Sequence, residues 1–309
     1  MKAMLVVPAA VFAASLGFLV ASCGSNGDAN SAGPVPSVDA TTNDTTEEIP
    51  TTSTDETTET ETGTDSSTSK VTYQVWFADR EGLFVTYRIE PATQRVGSAA
   101  LESLLEGPDS FEEGYGLSTA VPDGTQLLGL AIEDGIARVD LTSEFESGGG
   151  SASMQTRLAQ VVYTITQFPT VKGVVFSLDG EPIDVLGDEG IIIDHPLTRH
   201  DYAELLPAIL VTSPGLNQAV QSPVLLRGSA NVFEANVGIQ ILDESGDVIA
   251  ETFTTATCGT GCRGTYRISV PYEVDHEQDG TIVVHDDDAA GTGRPPHEVR
   301  IPVLLTPGA

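Results

Sequence analysis

Between Gly24 and Ser69 the chain carries no aromatic residue and no Lys or Arg, and Thr, Ser, Asp, Glu, Gly and Pro dominate. Such a segment cannot bury enough apolar surface to offset the entropy of ordering it, about 1–2 kcal/mol per residue for the backbone alone. Every packed core must therefore be built from Val71 onward. The segment is expected to be a disordered linker. As a flexible coil its ends would lie roughly 35–40 Å apart, and further under its own charge repulsion.

Ahead of it, Lys2 is followed by an uncharged apolar stretch from Met4 to Ala21 and then by Val20-Ala21-Ser22-Cys23. A charged start, a short apolar run and a small-residue site are the parts of an export signal, not of a spanning helix. The Val-Ala-Ser-Cys sequence resembles the bacterial lipobox in all four positions. That resemblance implies cleavage after residue 22, lipidation of Cys23, and a lipid-anchored location on the extracytoplasmic side of the cell membrane. An anchor helix with an incidental Cys is the bland alternative. Each buried acyl methylene contributes about 0.8 kcal/mol, so several chains hold where one dissociates.

The formal net charge of −31 sets the chain against phosphate backbones and anionic lipid heads, which argues against a nucleic-acid partner. With Cys23 assigned to lipid, the remaining cysteines are Cys258 and Cys262, four apart across Gly259-Thr260-Gly261. Zinc would want two more Cys or His nearby, and the flanks offer none, so no metal is expected there. A disulfide closing a small loop suits an oxidising exterior, with two free thiols as the alternative.

From residue 71 the pattern is regular. Val71 to Ala78 and Leu83 to Ile89 are rich in aromatic and β-branched residues around an Asp79-Arg80-Glu81-Gly82 turn, and read as paired strands. Arg95 to Glu106 has helical apolar spacing and ends at Gly107-Pro108; a long loop is expected from there to Pro122-Asp123-Gly124. Gln126 to Ile132 and Ile136 to Leu141 flank an Asp-Gly turn, Ser151 to Phe168 reads as a second helix, and Val174 to Leu178 as a further strand. This order predicts an α+β domain with helices covering a sheet. After Pro207, seven short apolar segments separated by Gly, Pro, Asn and Asp predict a β-sandwich, with Cys258 to Cys262 stapling one hairpin.

Particular stretches carry a family likeness. Arg95 to Pro108, Val121-Pro122-Asp123-Gly124-Thr125, Ala137 to Phe145 and Val162 to Pro169 occur in the order found in the GerMN domain, which the region about 70–200 resembles. Ile209 to Pro214, Val220 to Pro223 and Gly228 to Ala235 make the region about 208–306 similar to Gmad2, an immunoglobulin-like module. The expected organisation is a lipoprotein signal peptide at 1–22, a linker at 23–69, a GerMN-like α+β domain (mixed sheet, two helices) at 70–206, and a Gmad2 all-β immunoglobulin-like sandwich at 207–309. The resemblance implies an envelope lipoprotein with sporulation or germination connections, self-association through the GerMN-like domain, and no catalytic residues.

The residues with chemical potential fit the same expectation. Ser67-Thr68-Ser69-Lys70 has Ser-x-x-Lys spacing but lies in low-complexity sequence without a downstream Lys-Thr-Gly. His195, His200 and Asp201 have the spacing of partial metal ligands, and a domain-ending loop is the favoured reading. His285-Asp286-Asp287-Asp288 offers hard oxygens for calcium but lacks the alternation and closing Glu of a calcium loop, so a solvated turn is expected. Asp140, Thr142, Ser143 and Glu144 suit a strand exit. Tyr163 and Thr164 suit core packing with satisfied hydroxyls. Gly148 to Gly150 is followed by no Lys-Ser or Lys-Thr, so it forms no phosphate cradle. The function expected is therefore non-enzymatic and cofactor-free: binding or assembly with envelope proteins or peptidoglycan and other wall polymer. The rivals are a cell-wall hydrolase and a solute-binding lipoprotein of a transporter.

Overall fold

The computed structural model describes residues 69–187, 190–287, 291 and 293–308. The stretch expected to be an export signal, Cys23 and all of the expected linker but Ser69 lie outside the described residues. Among those described, no helix is long and apolar enough to cross a membrane.

The first domain opens with the antiparallel hairpin β1 (Lys70–Ala78) and β2 (Leu83–Pro91). The Asp79 carboxylate accepts from the main-chain N–H of Glu81 and Gly82 and closes the turn. Helix α1 (Val96–Glu106) follows and buries Ala100, Leu101 and Leu104, one stripe at helical spacing. The expected loop after Gly107 instead contains a short helix, α2 (Ser110–Tyr115). Its cap was legible: Asp109 accepts from the N–H of Glu112, and Glu112 reaches back to the N–H of Asp109, a reciprocal capping box.

Strands β3 (Leu127–Glu133) and β4 (Ile136–Leu141) form a hairpin whose turn residues, Asp134 and Gly135, both take positive φ, 50° and 86°. The long helix α3 (Ser151–Ile165) then crosses over to β5 (Gly173–Leu178), which lies parallel to β4, and β6 (Glu181–Pro182) ends the sheet. The strands thus divide between a two-stranded sheet, β1-β2, and a four-stranded sheet, β3-β4-β5-β6, with α1 and α3 packed against both. A two-residue pair, β7 (Val185–Leu186) and β8 (Ile191–Ile192), follows. The class is the expected α+β one, with an additional helix and with its strands split between sheets.

The second domain is a sandwich. One sheet runs β10-β16-β15-β12-β13 and the other β14-β11-β9. Their ranges are β9 Ile209–Ser213, β10 Gln218–Gln221, β11 Val224–Ala230, β12 Asn236–Leu242, β13 Val248–Thr255, β14 Gly264–Val270, β15 Gln278–His285 and β16 Glu298–Thr306. Alternation puts Val237, Ile239 and Ile241 of β12 inside with Ile282 and Val284 of β15 and Ile301, Val303 and Leu305 of β16. Strand β10 was not anticipated, because four residues between two Pro-containing turns carry too little pattern; it pairs parallel to β16, over 80 residues away in sequence. The Cys258–Cys262 segment also differs from expectation. It joins β13 to β14, which belong to opposite sheets, so it staples a crossover between layers and not a hairpin.

Candidate functional site

The expected chemical positions are mostly structural. Cys258 and Cys262 form a disulfide, Cα to Cα 5.8 Å. His195 and Asp201 come together on an exposed turn, Nε2 to Oδ1 3.6 Å, while the other Asp201 oxygen accepts from the N–H and hydroxyl of Thr198. The hydrogen bond that the His195 ring donates to the Asp194 carboxylate raises the His195 pKa above its ordinary value. His200 does not join this pair through its ring; its N–H donates to Thr198. Asp140 accepts from the N–H of Gly180, and Thr142 from the N–H of Gln126, fixing the strand exit. The Tyr163 hydroxyl donates to the Arg199 carbonyl, and Thr164 accepts from the N–H of Trp76, both in the core. Among the described residues no group of three or more His, Cys, Asp or Glu could hold a metal.

Asp286 corrects the reading of its stretch as a solvated turn. Its carboxylate is 2 % exposed and is held by two guanidinium nitrogens of Arg294 and by the N–H of His297. Those partners follow 8 and 11 residues later, and only the β15–β16 register returns them to it. Desolvation pushes this carboxyl up, but the bonds from Arg294 and His297 outweigh it and hold the pKa below the ordinary range.

Residues that pattern reading missed do the organising. Arg88 grips Glu112 through two 2.7 Å bonds, tying α2 to β2. Arg157, 1 % exposed and without a carboxylate partner in these bonds, donates to the carbonyls of Phe145, Ser147 and Gly148, so the glycine loop wraps an arginine. Gln160 and Thr164 on α3, and Gln167 just past its C-terminal end, face the outer edge of β1. Gln167 both donates to and accepts from the main chain of Gln74, while Thr164 and Gln160 serve the N–H and C=O of Trp76. A helix thereby occupies the edge that another strand would use.

The two domains meet through named contacts. The Tyr87 hydroxyl donates to the carbonyl of Thr212, with Gly215 beneath its ring, where a Cβ would sit 2.7 Å from a ring carbon. Tyr115 of α2 donates to the carbonyl of Arg300 on β16, 2.6 Å, and burial pushes its pKa up to about 12. Arg263, directly after the disulfide loop, donates to the carbonyls of Leu206, 3.4 Å, and of Pro207, 2.5 Å, where the first domain passes into the second. Two grooves flank this junction. One, of about 520 Å³, is lined by Gln74, Tyr87, Ile89, Leu216 and Arg227; the other, of about 450 Å³, by Asp79, Phe84, Tyr115, Leu210 and Glu298.

Not every edge is covered. Strand β3 pairs only with β4 among the described residues and exposes Leu128 and Ile132, at 51 % and 42 %. Among the described residues strand β13 pairs only with β12, and it exposes Val248 and Phe253. Both edges leave main-chain groups without a strand partner among the described residues.

An α+β unit braced against an immunoglobulin-like sandwich defines the class of this protein. Family comparison gives the particular pairing: residues 58–184 match Germane, described as sporulation and spore germination, and residues 208–292 match Gmad2, the immunoglobulin-like domain of bacterial spore germination. The chain is a GerMN–Gmad2 tandem protein. No curated protein matches it. Among solved structures, the first GerMN domain of the sporulation protein GerM from Bacillus subtilis is 24 % identical, with 42 % of this chain and 99 % of that one covered and a TM-score of 0.36. The tandem GerMN domains of the same protein are 18 % identical over 65 % of this chain and 62 % of that one, TM-score 0.38. CopC from Methylosinus trichosporium OB3b is 19 % identical over 33 % of this chain and 96 % of that one, TM-score 0.22.

Proposed function

We propose that this protein is a membrane-tethered, non-catalytic binding and assembly module of the cell envelope, lipidated at Cys23 and linked to germination or sporulation. Both domain families carry that connection in their descriptions. The observation that carries the binding role is the open β3 edge. It presents Leu128 and Ile132 to solvent, beside a hairpin whose own edge α3 has sealed. An unpaired strand with exposed apolar side chains is a template for strand addition. The partner class is an envelope protein or a second GerMN domain, with wall polymer as the alternative.

The test is in-cell crosslinking of the full-length protein followed by mass spectrometry of what co-purifies, compared with Leu128→Asp and Ile132→Asp. Recovery of specific envelope proteins, or of the chain itself, lost in both variants, is the expected result. Recovery of glycan fragments alone, unaffected by either variant, would overturn the β3 reading and favour wall binding or wall hydrolysis. Radiolabelled palmitate incorporation lost in Cys23→Ser tests the anchor separately.

A further inference from the structure

The second domain carries an edge of a different kind. We infer that β13 is a homotypic interface, pairing antiparallel with β13 of a second copy about a two-fold axis at Phe253. This does not rest on the role proposed for β3.

The main chain of β13 is poised for it. Ala256 donates to the carbonyl of Ala235, 2.9 Å, which sets the alternation along the ladder: residues 252 and 254 turn their N–H and C=O toward β12, and residues 251 and 253 turn theirs toward the open side. The side chains of 251, 253 and 255 share the outer face and are exposed, with Phe253 at 68 %. Opposite Phe253 on β12 stands Gly238, which offers no side chain to cover it; the His285 imidazole lies over that glycine instead. These eight residues hold no Lys and no Pro; the bulge at Ile249 falls at the far end of the strand from Phe253, and Glu251 is the one charged residue.

Charge selects a second copy and its direction. At a net charge of −31, two copies repel across most approaches. From Thr252 to Cys262, however, the sequence holds no charged residue, whereas the turn before β13 holds Asp243, Glu244 and Asp247. Parallel pairing would set one acidic turn beside the other. Antiparallel pairing about Phe253 sets each acidic turn toward the neutral disulfide-loop end of its mate. In that register Phe253 faces Phe253, an aromatic cross-strand pair, and Glu251 faces the Thr255 hydroxyl, so no like charges meet across the ladder.

Two measurements on the full-length chain in mild detergent decide this. In the first, Phe253→Cys is oxidised and digested: directly opposed antiparallel residues have Cα atoms about 5.5 Å apart, within disulfide reach. A 253-to-253 linked peptide is expected, and its absence, or equal linking at the exposed control Val185→Cys, which lies on neither open edge, overturns the proposal. In the second, sedimentation velocity should show a concentration-dependent dimer for the wild type that is lost in Phe253→Asp, which places two carboxylates on the axis. A wild type that stays monomeric at all concentrations, or a dimer unchanged by Phe253→Asp, overturns it as well.

Discussion

Replacing Gln160 by Met should unfold the first domain far more readily than its small change in shape suggests. Gln160 is completely buried on α3. Its amide nitrogen donates to the carbonyl of Trp76, 3.1 Å, and its oxygen accepts from the N–H of Ala120, 2.8 Å. Methionine fills nearly the same volume, so the cavity contribution is small, but it orphans one buried carbonyl and one partly buried N–H. Each orphan costs about 1–3 kcal/mol, giving a loss of about 2–4 kcal/mol in all. For a folded unit of this size that lowers Tm by about 10 °C. Thr164→Val removes only the acceptor for the Trp76 N–H and should cost about 1–2 kcal/mol. Gln167→Ala should cost less still, because water reaches the half-buried Gln74 groups it leaves. The chain's single Trp is Trp76, so urea unfolding followed by Trp fluorescence reports on this domain alone. A Gln160→Met protein within about 0.5 kcal/mol of wild type would refute the account of α3 as the cap of the β1 edge.

Three further outcomes are expected. Glu112→Ala leaves the largely buried Arg88 guanidinium unpaired and opens the α2 capping box, and should destabilise the first domain by about 3–5 kcal/mol in the same fluorescence assay. The Cys258→Ser, Cys262→Ser double variant removes a closure of only a few residues and should cost about 2 kcal/mol, read from the urea midpoint by far-ultraviolet circular dichroism; a loss near zero would mean that packing alone holds the crossover. Asp286 has its pKa lowered on folding, so its contribution is present above the unfolded carboxylate value, about 3.9, and is lost as pH falls through the lower folded value. The stability difference between wild type and Asp286→Asn should therefore shrink below about pH 4; a difference that is flat from pH 6 to pH 2.5 would remove this group from the acid response.

What the sequence by itself determined is the part of the fold set by local pattern. Period-two and period-3.6 spacing marks β1, β2, α1, β4 and α3, the Asp-Gly pair marks the β3–β4 turn, and the shift to short segments after Pro207 marks a sandwich. The bond between Cys258 and Cys262 was expected from an exported setting and from flanks without further zinc ligands, with two free thiols as the alternative, and the two form a disulfide. The α2 helix was also written locally, in Asp109 and Glu112, but one turn is too short to announce itself by periodicity. Tertiary structure alone decided which polar residues are buried and which edges stay open. Asp286 resembles a surface acid until the β15–β16 register brings Arg294 and His297 onto it; Gln160 resembles a helix-face residue until α3 lies along β1. The parallel placement of β10 on β16, and the transfer of the disulfide loop from hairpin to crossover, depend on strand order. Strand order is a property of contacts between residues far apart in the chain, and spacing along the chain does not encode it directly.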